Sequence, residues 1–245
     1  MKAKRLILII SIVGILMLSI FSFFFSTNTA EYIAHRGHGY FENTAESFAN
    51  STKYSAIECD VRISKDGKFI INHDEKVKFS DNTELLVNHS TLKDLTQYKL
   101  QNNYKICTLE EYLKICKQLN KTAVIELKVE FTDDEINRLL SEINNHYSKS
   151  NCIIISFEKS NLLKLKDKTD IPLQLLFYNN IEENVNFCIA NKIHASMDCK
   201  IIFRNVVNKL HNNGLKVGAW TVNSPFDNFR MKNLGVDYIT SDTLY

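Results

Sequence analysis

Short runs of strand-type sequence alternate along most of this chain with segments of helical periodicity, and this alternation constrains the fold more than any other feature. Apolar runs typical of buried strands occur near residues 32–35, 56–61, 123–127, 152–156, 172–176, 193–197, 216–220 and 237–240. Strands of a parallel sheet that is covered on both faces are expected to be such nearly continuous apolar runs. The pattern therefore predicts repeated βα units on a parallel sheet.

Helical periodicity fills most of the intervals between these strands. The predicted helices cover residues 44–54, 108–119, 133–147, 159–166, 183–191, 201–212 and 225–233. Thr108 with Glu111 three residues later is typical of a capping box, and Ser224 stands before a proline at a first helical position. The longest departure from simple alternation is residues 64–103, which we predict to hold a hairpin near residues 69–72 and a loop.

Eight strands with intervening helices, in roughly 215 residues, fit a small closed (β/α)8 TIM barrel. A doubly wound open sheet is the alternative, because strand order cannot be read from the strand pattern alone. No linker rich in proline or glycine divides the region, and the whole chain has 7 Gly and 2 Pro. We therefore predict one barrel domain over residues 31–245.

Residues 1–30 are predicted to form a separate membrane anchor. Lys2, Lys4 and Arg5 precede residues 6–25, which contain no charged residue and are long enough for a helix that spans a bilayer. The positive-inside rule keeps the basic flank cytoplasmic, so the barrel would be extracytoplasmic and held by a single-pass transmembrane helix. The alternative is a cleaved signal peptide, which would give a secreted protein.

Net charge and cysteine content say less about function than the strand pattern says about the fold. The chain has 30 basic and 28 acidic residues, a formal net charge of +2, which is too balanced to indicate a nucleic-acid partner. Its six cysteines form an even set in a chain predicted to be exported, which would permit disulfides. Most of them lie in apolar segments, where thiols behave as small hydrophobic groups. Disulfide pairing and oligomeric state stay open.

Three carboxylates stand in apolar predicted strands. Glu58 and Asp60 are separated by one residue, so the period of two puts both on one face of a strand and Cys59 on the other. Glu126 interrupts a second apolar run. Like charges buried together are costly unless a cation offsets them, and carboxylate oxygens suit Mg²⁺ or Ca²⁺. We predict one divalent cation here; the alternative is that Glu126 only pairs with Lys128.

Two histidines and an arginine are predicted near the same end of the barrel. His35 and Arg36 close the first strand, and barrel active sites form at the carboxyl ends of strands. His73 follows the predicted hairpin and would fold back towards the second strand. Imidazoles can act as the acid and the base of phosphodiester cleavage, and an arginine suits bidentate phosphate contact. These residues predict phosphodiester cleavage.

The order and spacing of these motifs resemble the glycerophosphodiester phosphodiesterase family, over essentially the whole chain from residue 31. The first hundred residues carry the specific part of the resemblance. The residues that carry it are His35-Arg36-Gly37, Glu42-Asn43-Thr44, Ile57-Glu58-Cys59-Asp60-Val61, Asp66-Gly67, His73-Asp74, Glu126-Leu127-Lys128, Trp220-Thr221-Val222-Asn223 and the segment from Gly235 to Asp242.

The resemblance implies a (β/α)8 barrel that hydrolyses glycerophosphodiesters to sn-glycerol 3-phosphate and an alcohol. The site residues that it implies are the metal ligands Glu58, Asp60 and Glu126, the acid–base pair His35 and His73, the phosphate partners Arg36 and Lys128, and Trp220 near the glycerol. One alternative is lysophospholipase D-like or sphingomyelinase D-like cleavage of a membrane lipid, so the substrate would be either a small-molecule or a lipid-derived phosphodiester. The other alternative is a noncatalytic barrel that binds phosphodiester polymers of the cell envelope.

Overall fold

The computed structural model describes residues 30–244. The strands of this part of the chain are β1 (Glu31–Ala34), β2 (Ala56–Ile63), β3 (Phe69–Ile71), β4 (Lys76–Lys78), β5 (Glu84–Leu86), β6 (Cys107–Thr108), β7 (Thr122–Leu127), β8 (Cys152–Ser156), β9 (Leu173–Phe177), β10 (His194–Asp198), β11 (Val217–Trp220) and β12 (Tyr238–Ser241). Its α-helices are α1 (Ala45–Ala49), α2 (Leu92–Thr96), α3 (Leu109–Leu119), α4 (Asp133–His146), α5 (Lys159–Lys166), α6 (Ile181–Asn191), α7 (Arg204–His211) and α8 (Pro225–Leu234).

Eight of these strands form a closed parallel barrel. β1 pairs in parallel with both β2 and β12, and the remaining neighbours follow the chain through β7, β8, β9, β10 and β11. A doubly wound sheet has two open edges, so this closure excludes the open-sheet alternative and confirms the predicted eight-stranded barrel. Since all eight strands point the same way, their carboxyl ends meet at one mouth.

The core has two layers because successive strand residues face opposite sides of the sheet. Residues such as Cys59 and Ile125 face outwards and pack in the larger hydrophobic cluster, between the barrel and its helices. The smaller cluster fills the inside of the barrel and consists of Ile33, Ala56, Val124, Ile153, Ile155, Leu176 and Tyr238. This alternation directs Glu58 and Asp60, on either side of Cys59, into the barrel.

An insertion between β2 and β7 covers part of the mouth. β3 pairs antiparallel with the end of β2, as predicted for the hairpin, with Ile71 opposite Val61. β4 and β5 form a separate two-stranded sheet, so residues 64–103 hold more structure than the predicted loop. A third hydrophobic cluster, which includes Ile70, Phe79 and Leu95, explains the order of this segment.

The predicted helix starts are confirmed where the sequence has capping signals. The Thr108 side chain accepts from the backbone N–H of Glu111, and the Glu111 carboxylate accepts from the backbone N–H of Thr108 in return. The Ser224 side chain caps α8 by accepting from the backbone N–H of Asp227, with Pro225 in the first turn. Each cap satisfies backbone donors that the helix itself leaves free.

Two predicted helices are shorter in the structure. The segment predicted as helical over 44–54 ends at Ala49, and the following turns bury the ring of Tyr54, which is 1% exposed. The helix predicted over 201–212 begins only at Arg204, after a short 3-10 turn. In both cases the packing of the adjoining turn overrides the local helical propensity.

None of the helices within residues 30–244 is long and apolar enough to cross a membrane. The predicted transmembrane helix, residues 6–25, lies outside the described residues. The described chain enters the barrel at Glu31, the first residue of β1. Because the mouth lies at the carboxyl ends of the strands, the chain enters at the opposite face.

All six cysteines are free and buried. Burial raises the pKa of Cys116 to about 12 and that of Cys188 to about 12. Thiols with such a pKa stay protonated at neutral pH and act as small hydrophobic groups. The cysteines therefore belong to the core, and none of the six forms a disulfide in the structure.

Candidate active site

The structure brings the eight predicted site residues together at the mouth of the barrel. A pocket of about 160 Å³ is lined by His35, Arg36, Glu58, His73, Glu126, Lys128, Ile155, Phe157, Leu176, Ser196, Trp220, Thr221 and Thr240. Asp60 contacts this lining through Arg36 and Lys128, whose nitrogens lie 3.2 and 3.4 Å from its carboxylate oxygens. Strands β1, β2, β7 and β11 position most of the predicted residues, and the loop after β3 supplies His73.

Glu58, Asp60 and Glu126 form a buried carboxylate triad. One oxygen of each lies within 4.8 Å of the other two, and the residues are 2%, 1% and 8% exposed. Asp60 stands opposite Glu126 in the β2–β7 register, which explains why the carboxylates meet. Within the described residues, Glu58 Oε1 is buried without a hydrogen-bond partner. Buried oxygen donors with an unpartnered atom fit a hard divalent cation such as Mg²⁺ or Ca²⁺.

Burial and mutual repulsion set the protonation of the triad. Burial, with the charges of Asp60 and Glu126, raises the pKa of Glu58 well above its ordinary value. Burial also acts to raise the pKa of Asp60, but Lys128 and Arg36 outweigh it and hold that pKa below its usual range. The pKa of Glu126 is raised by burial and by Asp60, against the opposing effect of Lys128. Glu58 is thus the carboxylate with the least compensation by protein cations.

Two cations offset part of the charge of the triad. Lys128 Nζ lies 2.7 Å from Glu126 Oε1, so the ion pair that the sequence analysis considered as an alternative to metal binding is present. Arg36 bridges the triad and the rim, since Nε lies 3.2 Å from Asp60 Oδ2 and Nη1 donates to Glu42 Oε1 at 2.9 Å. Two cations face three buried carboxylates, so these pairs do not neutralise the triad.

Each candidate histidine is held by a carboxylate through Nδ1. His35 Nδ1 lies 2.7 Å from Asp242 Oδ1, and His73 Nδ1 lies 2.7 Å from Asp74 Oδ1. Asp242 in turn accepts a hydrogen bond from the side-chain amide of Asn223. A carboxylate on Nδ1 orients the ring and leaves the other nitrogen, Nε2, available for proton transfer with a reacting group. The two imidazoles are therefore arranged for proton transfer.

Three residues that organise the site were not among the predicted site residues. Asn43 Nδ2 donates to Asp60 Oδ2 at 2.7 Å, from a left-handed backbone conformation (φ 58°) that asparagine tolerates. Asp242 orients His35, and its position directly after the last barrel strand could have indicated this. Arg62 lies near the end of β2. Its Nε and Nη2 atoms donate to the His73 carbonyl oxygen at 3.0 and 2.8 Å. No local pattern marks Arg62, because the contact depends on the hairpin register.

The chain is similar to known proteins over most of its length. Residues 35–244 match the model of the glycerophosphoryl diester phosphodiesterase family. The chain is 30% identical over 237 residues to a glycerophosphodiester phosphodiesterase of Bacillus subtilis (strain 168), covering 83% of this chain and 80% of the relative. It is 29% identical over 227 residues to a glycerophosphodiester phosphodiesterase of Bacillus altitudinis, covering 85% and 93% of the two chains.

A solved structure has the same fold. It is a phosphodiesterase of Oleispira antarctica in complex with the product sn-glycerol-3-phosphate, with a TM-score of 0.80 and 23% identity, covering 86% of this chain and 92% of that chain. The barrel and its closure are thus shared with a phosphodiesterase, and the family match spans nearly all of the described residues. This chain belongs to the glycerophosphoryl diester phosphodiesterase family.

Proposed function

We propose that this chain is a phosphoric diester hydrolase that converts glycerophosphodiesters to sn-glycerol 3-phosphate and an alcohol. One observation carries the proposal: a buried carboxylate triad and two carboxylate-held histidines meet in a single pocket. Phosphodiester cleavage needs charge stabilisation at the phosphate together with a base and an acid. The family match supports the same reaction, as does the similar fold of a phosphodiesterase that binds sn-glycerol-3-phosphate.

The triad Glu58, Asp60 and Glu126 would hold one divalent cation, Mg²⁺ or Ca²⁺. A set of oxygen donors suits these hard cations, whereas structural zinc sites use mainly cysteine and histidine. When bound, the cation would offset charge on the phosphate and lower the pKa of the attacking hydroxyl.

The chain's own residues bind the phosphate and move the protons. Arg36 and Lys128 line the pocket as phosphate partners, Arg36 with a planar fork and Lys128 as a point charge. One histidine takes the proton of the glycerol hydroxyl next to the phosphate, and the other gives a proton to the departing alcohol. Water then opens the cyclic phosphate with the roles reversed. Asp242 and Asp74 would stabilise His35 and His73 when they are protonated.

A panel of diesters tests the proposal. The substrates are glycerophosphocholine, glycerophosphoethanolamine, lysophosphatidylcholine and sphingomyelin, each assayed with Mg²⁺, Ca²⁺ or chelator and with product identification. We expect turnover of the two soluble diesters with release of sn-glycerol 3-phosphate, its loss with chelator and its recovery with one of the ions. Faster turnover of the two lipids would favour the lipid-cleaving alternative, and absence of turnover on every diester would favour the noncatalytic one.

Arg62 is expected to act as a positioning residue for His73. Its guanidinium makes two hydrogen bonds to the His73 carbonyl, so Arg62→Met should lower kcat by about tenfold with a smaller effect on KM, because the imidazole loses its fixed orientation. Arg62→Lys should recover only part of the activity, because an ammonium lacks the planar fork. Steady-state kinetics with melting curves checks this. A reduced melting temperature with unchanged kcat would show a structural role only.

We further propose that the barrel is held at the extracytoplasmic side of a membrane by the segment that contains Lys2, Lys4, Arg5 and residues 6–25. The chain enters the barrel at the face opposite the mouth. An anchor there would turn the pocket away from its own membrane, which favours soluble diesters as substrates. Fractionation and protease accessibility of the full chain in cells test this, and a shortened protein in the medium would instead indicate a cleaved signal peptide.

A further inference from the structure

The carboxylate of Asp242 is held by two side chains, one on each oxygen. Its Oδ1 atom lies 2.7 Å from His35 Nδ1, and its Oδ2 atom accepts a hydrogen bond from the side-chain amide of Asn223. The Asn223 carbonyl oxygen, Oδ1, accepts in turn from the backbone N–H of Asp242 at 3.0 Å. Asn223 therefore holds both the backbone and the side chain of the residue that orients His35.

This double contact exists because the loop after β11 runs beside the end of β12. The backbone N–H of Val222 donates to the Thr240 carbonyl oxygen at 2.9 Å, and Ser241 Oγ donates to the Val222 carbonyl oxygen at 2.5 Å. These two bonds continue the pairing of β11 with β12 beyond the strands. They keep Asn223 in register with the residue that follows β12.

Burial does not fix the carboxylate of Asp242, since that side chain is 50% exposed. An exposed ion pair is weak on its own, because two side chains must give up rotamer freedom to stay in contact. The contacts from Asn223 already restrict Asp242, so less freedom is lost when it pairs with His35. The orientation of His35 thus depends on hydrogen bonds that Asn223 supplies.

The other histidine has no such support on its carboxylate. His73 Nδ1 lies 2.7 Å from Asp74 Oδ1, but the Asp74 carboxylate forms no further hydrogen bond within residues 30–244, and its side chain is 79% exposed. His73 is instead held through its backbone by Arg62. The two histidines are therefore positioned by different groups, and a change at Asn223 should reach only His35.

We propose that Asn223 is a positioning residue for catalysis, which acts on His35 through Asp242. The inference rests on the proposed function and adds a residue to the acid–base pair of that same site. Asn223 is not among the residues that line the pocket, so its loss should leave substrate binding nearly intact. The effect should fall on proton transfer, because an imidazole that has lost its fixed orientation reaches the reacting group less often.

Asn223→Ala should lower kcat on glycerophosphocholine by about tenfold and change KM by less than about twofold. The matched control is Asn213→Ala, at another exposed asparagine, on the loop that precedes β11. Asn213 Nδ2 donates to the Lys209 carbonyl oxygen at 2.8 Å, outside the pocket lining. The control should keep the wild-type kcat, and melting curves establish that both variants are folded.

A double-mutant cycle with Asp242 distinguishes positioning from a general effect on the loop. In an Asp242→Ala background, Asn223→Ala should lower kcat by no more than about twofold, because the group through which Asn223 acts is gone. A purely structural effect would lower kcat by about the same tenfold in both backgrounds. That second result would overturn the inference.

The pH profile of kcat/KM provides another test. Asn223→Asp keeps the shape of the side chain but places a negative charge near His35, which should raise the pKa of that imidazole. We expect one limb of the profile to move up by about one pH unit while the limb set by His73 stays in place. Movement of the acidic limb would make His35 the base, and movement of the alkaline limb would make it the acid. Two unchanged limbs would overturn the inference.

Other charged groups near His35 stay the same in this variant, so they do not account for a moved limb. The charged and titratable groups that face His35 or its partner are Arg36, His38, Glu58, His73, Glu126, Lys128 and Asp242.

Failure of this inference can be told apart from failure of the proposed function. If the wild-type protein does not hydrolyse glycerophosphocholine with any ion, the proposed function is wrong and the inference falls with it. If the wild-type protein is active and Asn223→Ala keeps its full kcat, only the inference is wrong. Asn223 is exposed, so neither substitution removes a core contact.

Discussion

His35→Ala and His73→Ala are each expected to lower kcat on glycerophosphocholine by about 10²–10⁴-fold, the usual contribution of a positioned acid or base. Both rings line the pocket and both are held through Nδ1 by a carboxylate at 2.7 Å, so Nε2 of each is the nitrogen that is left for proton transfer. In the proposed mechanism one ring serves as base while the other serves as acid, so neither can replace the other. The double variant should lose little more than either single variant, since the two act in one step.

His211→Ala is the matched control for these variants. His211 also pairs with a carboxylate, with Nε2 at 2.9 Å from Asp237 Oδ2, but it does not line the pocket. Its loss should leave kcat within a factor of a few. Asp242→Asn should lower kcat less than His35→Ala, because the ring remains while its orientation and charge stabilisation weaken. If His35→Ala and His211→Ala behaved alike, the acid–base assignment would be wrong.

Glu58→Gln is expected to lower kcat by about 10²-fold or more, to remove the stabilisation of the protein by divalent ions and to make the ion-free protein more stable. Burial and two neighbouring carboxylates raise the pKa of Glu58, which means that its charge is unfavourable in the ion-free fold. A neutral amide of the same shape removes that repulsion. It also removes a ligand from the cation site, so activity and ion response fall together.

Melting curves in chelator, Mg²⁺ and Ca²⁺ check this prediction. The wild-type protein should melt at a higher temperature with the preferred ion, since an ion at 100 times its Kd adds about 2.7 kcal/mol to the free energy of unfolding. Glu58→Gln should melt above the wild type in chelator and show no rise with either ion. Glu130→Gln, an exposed acid that pairs with Lys164, should keep the full ion response. An unchanged ion response in Glu58→Gln would remove Glu58 from the ligand set.

His35 and His73 differ in their exposure and in the part of the fold that holds them. The side chain of His35 is 21% exposed and that of His73 is 39% exposed, and their carboxylate partners are 50% and 79% exposed. His73 additionally depends on Arg62 for the position of its backbone. His73 is thus held by an insertion of the barrel, whereas His35 is held by the barrel itself.

Local sequence patterns correctly predicted the face of β2 on which its side chains lie and the residue at which α3 begins. The period of two in β2 places Glu58 and Asp60 inside the barrel and Cys59 outside, as the structure shows. The capping pair Thr108 and Glu111 marks the start of α3 correctly. These features rest on interactions between residues a few positions apart, so a single sequence contains them.

Tertiary structure alone decided which of these side chains meet. The Nδ1 contact of His35 joins residues 207 positions apart, and it exists because β1 pairs with β12 when the barrel closes. The meeting of Asp60 and Glu126 likewise depends on the register between β2 and β7. Periodicity determines the face on which a residue lies, but register and closure are set by packing over the whole barrel. The sequence by itself therefore determined the chemistry of the catalytic candidates, and only the closed barrel decided their partners.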